Sequence, residues 1–195
     1  MATSDERISN FMFEVGSLKN IPRTGWLKAG IKFPETIAEH SMRTALLGWV
    51  IAAMEGADTS KVVKMCLMHD LAESRIGDFD KVARRYLEKH DAELKAQLDI
   101  AKNLPDGMDD EASELYRELF EMRTKEANIT RDADRLEMFI QAHEYENAGH
   151  SKKILKPWKE SGSKNLKTKS AKRICNAISG SNFGNWWSFL YNKQS

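Results

Sequence analysis

Helix signals follow one another along this chain, and no run alternates apolar and polar residues long enough for a half-buried strand. The sharpest is Thr36 with Glu39 three positions later, a capping box in which each side chain accepts the other's backbone N–H. From it a periodic apolar run passes through Ile37, Leu46, Leu47, Val50 and Ile51 and stops before Gly56. Thr59 or Ser60 can cap a second helix whose stripe takes in Val62, Val63, Cys66, Leu67, Asp70 and Leu71. Two more are predicted, from Asp91 to Asn103 and from Asp109 to about Lys125, with Leu104-Pro105-Asp106-Gly107 as the turn between them. The second opens with Asp109, Asp110 and Glu111 at the positive end of the helix dipole. A further helix from Thr130 to Asn147 sets Ala133, Leu136, Ile140 and Ala148 on or near an apolar face and stops at Gly149. The fold class expected is an all-α bundle.

With 195 residues and 41% apolar composition the chain suits a single domain around one core. Its 30 basic and 29 acidic residues leave a net charge of +1, so no global field announces a nucleic acid or a membrane. The only cysteines, Cys66 and Cys175, lack metal-site spacing, and Cys66 lies in an apolar helical run, as expected of buried, reduced thiols in a cytoplasmic protein. The start carries no signal-peptide pattern, and the apolar run from Ala45 to Met54 falls short of the roughly 20 residues a bilayer demands.

Beyond about residue 150 the composition changes. Between Ser151 and Arg173 stand nine basic residues and one acidic residue, Glu160. Pro157 and Ser161-Gly162-Ser163 predict a loop there, followed by a helix through Ile174 and Ile178. The stretch reads more readily as a solvated lysine face than as a contact for an anionic partner. Phe183, Trp186, Trp187, Phe189, Leu190 and Tyr191 form an aromatic cluster that suits a docked terminal segment or a subunit contact better than base stacking.

The chemistry gathers at Glu39-His40 and at His69-Asp70, with Glu73 and Gly77-Asp78 behind. If the second helix runs on, Glu73 lies one turn from both His69 and Asp70 and flanks a metal without binding it. His40 from the preceding helix and Asp134 from a later one would complete a set of two imidazoles and two carboxylates. Such a set suits Mn, Fe, Co, Ni, Zn or Mg and points to metal-assisted phosphate chemistry. Glu73 is then the candidate acid and base, and Asp78 can orient water or accept a hydrogen bond from a sugar. In Pro22-Arg23-Thr24-Gly25-Trp26, Arg23 offers a guanidinium for phosphate or for a neighbouring carboxylate, and Trp26 a ring for a base or for the core. His90, His143 and His150 are read as structural, and Glu137 and Glu144 as solvated helix residues.

The ordered set Leu18 to Trp26, Ala38-Glu39-His40-Ser41, His69-Asp70-Leu71-Ala72-Glu73 with Gly77-Asp78, and Asp134 with Glu137-Met138 and Glu144-Tyr145-Glu146 resembles the HD-domain 5′-deoxynucleotidases over roughly residues 8 to 150. The resemblance implies a single-domain, all-α HD bundle; the core is read as 1–150, and 151–195, which falls outside the resemblance, as a basic loop, helix and aromatic extension packed on the same domain. It also implies a homodimer and removal of the 5′-phosphate of deoxynucleoside monophosphates with one divalent ion. By the same resemblance His40, His69, Asp70 and Asp134 match metal ligands, Glu73 the catalytic acid or base, and Asp78 the acidic residue beside the substrate. Arg23 and Trp26 fall where the family holds phosphate and sugar or base, although some members have Arg and Trp adjacent. After Asp78 many members continue with a proline-containing loop, where this chain has Phe79 to Arg85. Other readings are an HD hydrolase of a triphosphate, guanosine tetraphosphate or cyclic nucleotide, or a binding module using Lys152 to Arg173 and Trp186-Trp187. A small-molecule nucleotide is the expected partner, and neither nucleic acid nor membrane is.

Overall fold

The computed structural model describes residues 3–192. Among them the chain forms α1 (Ser4–Ser17), α2 (Thr24–Lys28), α3 (Ile37–Glu55), α4 (Thr59–Met68), α5 (Glu73–Ile76), α6 (Lys89–Ala101), α7 (Met108–Glu121), α8 (Lys125–Asn147), α9 (Lys152–Ser163), α10 (Lys169–Ser179) and α11 (Asn185–Asn192). The only extended pairing among the described residues is an isolated bridge between Pro22 and Thr36, so the fold is all-α.

α3 begins as its capping box predicts: Glu39 Oε2 accepts the Thr36 N–H at 2.7 Å and Thr36 Oγ1 accepts the Glu39 N–H at 3.3 Å. Gly56 ends it in the left-handed region at φ 63°, where a Cβ would be strained. α4 departs from expectation at both ends. Its cap is Asp58, whose Oδ1 accepts the Lys61 N–H at 3.0 Å, in place of Thr59 or Ser60. It also stops at Met68, so His69 to Ala72 form a turn and Glu73 opens the separate α5. α8 starts earlier than Thr130, because Thr124 Oγ1 accepts the Ala127 N–H at 3.2 Å.

The centre of the bundle is the crossing of α3, α4 and α8, where Ala45, Ile51, Val62, Cys66, Ala133 and Leu136 are buried together. Small residues let these helices approach. A Cβ on Gly48 would lie 2.5 Å from Cys66 Sγ and 2.9 Å from Val62 Cγ1. Leu46 and Val50 of the predicted apolar run lie outward with Met42, Trp49 and Met54, leaving α3 an exposed apolar stripe.

α9 occupies the stretch expected to be a loop. Pro157 removes one N–H, but it lies on the exposed side, where solvent satisfies the Lys153 carbonyl left without its helical partner. The helix is secured by Leu155, 1% exposed, and by Gly162, whose Cβ would meet the Arg135 carbonyl at 2.7 Å and Phe139 Cβ at 2.8 Å. Burying a leucine to this degree stabilises by roughly 1.5–3 kcal/mol, enough to offset one lost hydrogen bond of about 1 kcal/mol. α10 is tied to α8 by the buried Asp132, which accepts the Lys167 N–H at 2.9 Å and the Thr168 N–H and hydroxyl at 2.8 Å each. Leu166, Ala171 and Cys175 join the central cluster. Lys152, Lys153, Lys156, Lys164, Lys167 and Lys169 are exposed, as a solvated lysine face requires. In α11, Trp186, Trp187, Leu190 and Tyr191 stay exposed and do not dock on the bundle; the Phe189 side chain lies outside the described residues.

Candidate metal centre and active site

Four side chains from three segments converge beside the α3–α4–α8 crossing. His40, in the first turn of α3, is fully buried, and its Nε2 lies 3.2 Å from Nε2 of His69, 3.4 Å from Asp134 Oδ1 and 3.7 Å from Asp70 Oδ2. His69 Nε2 lies 3.1 Å from Asp70 Oδ2. One ligand atom each from His40, His69 and Asp134 fall within 4.8 Å of one another. Atoms that share a metal at about 2.0–2.2 Å are themselves roughly 3.0–3.5 Å apart, so these spacings fit one divalent ion.

The ring orientations support the same reading. A carbonyl only accepts, so His69 Nδ1, 2.6 Å from the Cys66 carbonyl oxygen, must carry the proton and donate it. His40 Nδ1 donates likewise to Glu137 Oε2 at 2.5 Å. In the neutral rings both Nε2 lone pairs then face each other and two carboxylates, an arrangement of acceptors that calls for positive charge at its centre. Burial and the Arg23 charge oppose protonation of His40, yet Glu137 and Asp134 raise its pKa to about 10. A divalent cation answers the same demand. Burial also works against the Asp70 carboxylate, but His69, Arg23 and His40 hold it well below the usual range, keeping it an anion.

Arg23 Nη1 lies 3.2 Å from Asp70 Oδ2, so the guanidinium borders the candidate cation position. Asp78 Oδ2 accepts the Thr24 N–H at 2.6 Å and the Thr24 hydroxyl at 3.0 Å, fastening the start of α2 to the loop after α5. Trp26 is not placed to stack on a substrate: it is 2% exposed, its ring packs on Trp158 and edge-on to Tyr145, and its Nε1 donates to Glu35 Oε1 at 2.8 Å. Its bulk makes it a core residue that holds a buried carboxylate.

Glu73 reaches the site from α5 and not from an extension of α4. It is 1% exposed, its Oε1 accepts from Lys89 Nζ at 2.8 Å, and its Oε2 is buried with no hydrogen-bond partner. Burial, then the charge of Asp70, pushes its pKa up to about 8 against the pull of Lys89.

Glu137 is the clearest departure from expectation. It is fully buried, not solvated, and joins His40 to Arg43, whose Nε and Nη2 donate to Glu137 Oε1 at 2.9 and 2.6 Å. Arg43 Nη1 donates to Glu144 Oε1 at 2.6 Å, so Glu144 also belongs to this network. The signal was a spacing: Asp134, Glu137, Gln141 and Glu144 recur at three- and four-residue steps, a polar stripe on one face of α8 of which Asp134 meets His40 and the other three meet Arg43.

His90 packs at a tilt on Phe120, His143 meets Phe139 edge-on and His150 meets Tyr145 edge-on, all apart from the four converging side chains.

The model of the HD domain matches residues 15–175, and the chain belongs to the HD-domain family. Two similar proteins, both called 5′-deoxynucleotidase HDDC2, come from Dictyostelium discoideum and Danio rerio. The first is 35% identical over 156 residues, covering 73% of this chain and 81% of that protein. The second is 38% identical over 144 residues, covering 72% and 70%. Among solved structures, a conserved hypothetical protein from Pyrococcus furiosus gives a TM-score of 0.75 at 33% identity, over 87% of this chain and 98% of that one. A predicted metal-dependent phosphohydrolase from Magnetospirillum magnetotacticum gives 0.65 at 26% identity, over 89% of each.

Proposed function

We propose that this chain is a metal-dependent phosphomonoesterase that removes the 5′-phosphate from deoxynucleoside monophosphates. The observation that carries it is the convergence on His40 Nε2 of His69, Asp134 and Asp70 at 3.2, 3.4 and 3.7 Å, with His69 Nε2 3.1 Å from Asp70 and Arg23 at the edge, in a family whose similar members are called 5′-deoxynucleotidases. In this reading those four residues hold one divalent ion. When bound, such an ion supplies positive charge against phosphate oxygens and makes a nearby water more acidic.

The chain's own residues do the rest. Arg23 pairs with a phosphate oxygen and orients phosphorus for in-line attack. Glu73 takes a proton from the attacking water as the new P–O bond forms, and returns a proton to the 5′-oxygen as the ester bond breaks. The products are a deoxynucleoside and inorganic phosphate, with the proton balance closed on Glu73. Asp78, held by Thr24, meets the sugar or orients the water. Trp26 supports this site from the core.

The exposed stripe of Met42, Leu46, Trp49, Val50 and Met54 on α3 supports a homodimer joined along that face. The unpaired Cys66 and Cys175, both buried, and the lack of a helix long and apolar enough to cross a membrane among the described residues suit action in the cytoplasm.

The test is a phosphate-release screen of ribo- and deoxyribonucleotides, mono- to triphosphate, with each divalent cation and with chelator. Deoxynucleoside monophosphates should be turned over fastest, and chelator should abolish release. Preference for triphosphates or cyclic nucleotides, or release unaffected by chelator, would overturn the reading.

A further inference from the structure

Lys89 opens α6 and buries its side chain, which is 6% exposed. Nζ donates to Glu73 Oε1 at 2.8 Å and lies 2.7 Å from Glu93 Oε1. Helix stability does not account for a lysine here. A cation at a helix N-terminus opposes the dipole, and lysine preceding glutamate at this spacing is the weaker order of the pair. Burying an ammonium carries a desolvation cost that only well-placed anions offset. The partner that needs it is Glu73, whose side chain is more buried than Lys89 itself and whose negative charge is opposed by burial and by Asp70 and Asp78.

The division of labour on that carboxylate is unequal. Lys89 occupies Oε1, while Oε2 has no partner in the protein although it is shielded from solvent. An unpaired buried acceptor is costly and persists where something else uses it.

We propose that Lys89 is a positioning residue for Glu73: by holding Oε1 it fixes the carboxylate so that Oε2 alone faces the reacting water and the 5′-oxygen. This rests on the role given to Glu73 above. Glu93, half-exposed beside Lys89, steadies the ammonium from the other side.

The test compares wild type, Lys89→Met, Lys89→Arg, Glu73→Gln and the Lys89→Met/Glu73→Gln double variant. Read together are kcat and KM for a deoxynucleoside monophosphate, Mn2+ affinity by calorimetry, and the melting temperature. Lys89→Met should lower kcat about 10–100-fold with KM and Mn2+ affinity within about threefold of wild type, the pattern of an interaction used in the transition state. Lys89→Arg, still able to donate to Oε1, should recover most of that loss. In the Glu73→Gln background Lys89→Met should cost nothing more, because the group it positions is already disabled. The double variant buries no unpaired charge, and Lys89→Gln, which keeps a donor for Oε1, substitutes if Lys89→Met does not fold.

Equal losses in both backgrounds, or a fall in kcat matched by weaker Mn2+ binding and a lower melting temperature, would make Lys89 merely structural and overturn the proposal. Wild-type turnover in Lys89→Met beside an inactive Glu73→Gln would overturn it while leaving Glu73 in its role. Full turnover in Glu73→Gln would remove the role of Glu73 itself, and the proposal with it.

Discussion

Glu137 Oε2 lies 2.5 Å from Nδ1 of His40, joining α8 to the first turn of α3 through a fully buried pair. That contact fixes the ring so that Nε2 is the nitrogen facing His69 and Asp134. Partners of this kind typically contribute 10–100-fold to metal affinity. Glu137→Gln should therefore weaken Mn2+ binding by about that factor in calorimetry, with the helical circular dichroism spectrum retained. Unchanged affinity would reduce Glu137 to a packing role.

A second prediction concerns the close approach of α3 and α4. Replacing a helical glycine by alanine ordinarily stabilises by about 1 kcal/mol. At Gly48 the added methyl would meet Cys66 Sγ at 2.5 Å and Val62 Cγ1 at 2.9 Å, both fixed in the core. Overpacking of this kind costs about 1–3 kcal/mol and reverses the sign. Gly48→Ala should unfold at lower urea concentration than wild type. A higher midpoint would mean that α4 yields easily.

Glu35 sets a pH dependence of stability. Burial, then the charge of Glu137, pushes its pKa up to about 8 in the fold, from an ordinary value of 4.5. A carboxyl raised in this way contributes stability that is fully present below about pH 4.5 and is lost as pH rises through about 8. Glutamine mimics the protonated form and still accepts from Trp26 Nε1. Glu35→Gln should gain about 1–3 kcal/mol relative to wild type between pH 5.5 and 8.5 in urea titrations. A difference that stays constant across that range would place the Glu35 pKa near its ordinary value.

The outer stripe of α3 gives a prediction about assembly. Leu46 and Trp49 are 50% and 54% exposed at its centre. If a second copy covers them, charges there should separate the two chains, since like charges meet across a two-fold axis. Leu46→Glu with Trp49→Glu should sediment as a monomer at concentrations where wild type is a dimer. Equal mass for the two proteins would exclude this face as the joint.

Local signals carried much of the fold. The Thr36 and Glu39 box, the acidic first turn before α7 and the left-handed glycines at 56 and 107 act within a few residues, and their helices lie near where they were expected. What failed depended on distant partners. α4 was expected to run through Leu71 because its stripe continues, but the chain turns after Met68, and Glu73 reaches the site from another helix. Pro157 and the Ser-Gly-Ser run predicted a loop, and the burial of Leu155 and Gly162 against the domain outweighed them.

The same division holds at the site. The His40, His69 and Asp70 motif stood out by residue type, whereas Glu137, Arg43 and Lys89 are ordinary charged helix residues until α8, α3 and α6 bring them to their partners. Trp26 is ambiguous in sequence for the same reason: its ring can serve a ligand or the core, and its packing on Trp158 of α9, a distant partner, commits it to the core.

The central claim is that His40, His69, Asp70 and Asp134 share one divalent cation. It is tested most directly by anomalous diffraction from crystals soaked in Mn2+. A single strong peak about 2.0–2.3 Å from His40 Nε2, His69 Nε2, Asp70 Oδ2 and Asp134 Oδ1 is the predicted result. Manganese bound elsewhere on the chain, with those four atoms in contact only with one another, would contradict it.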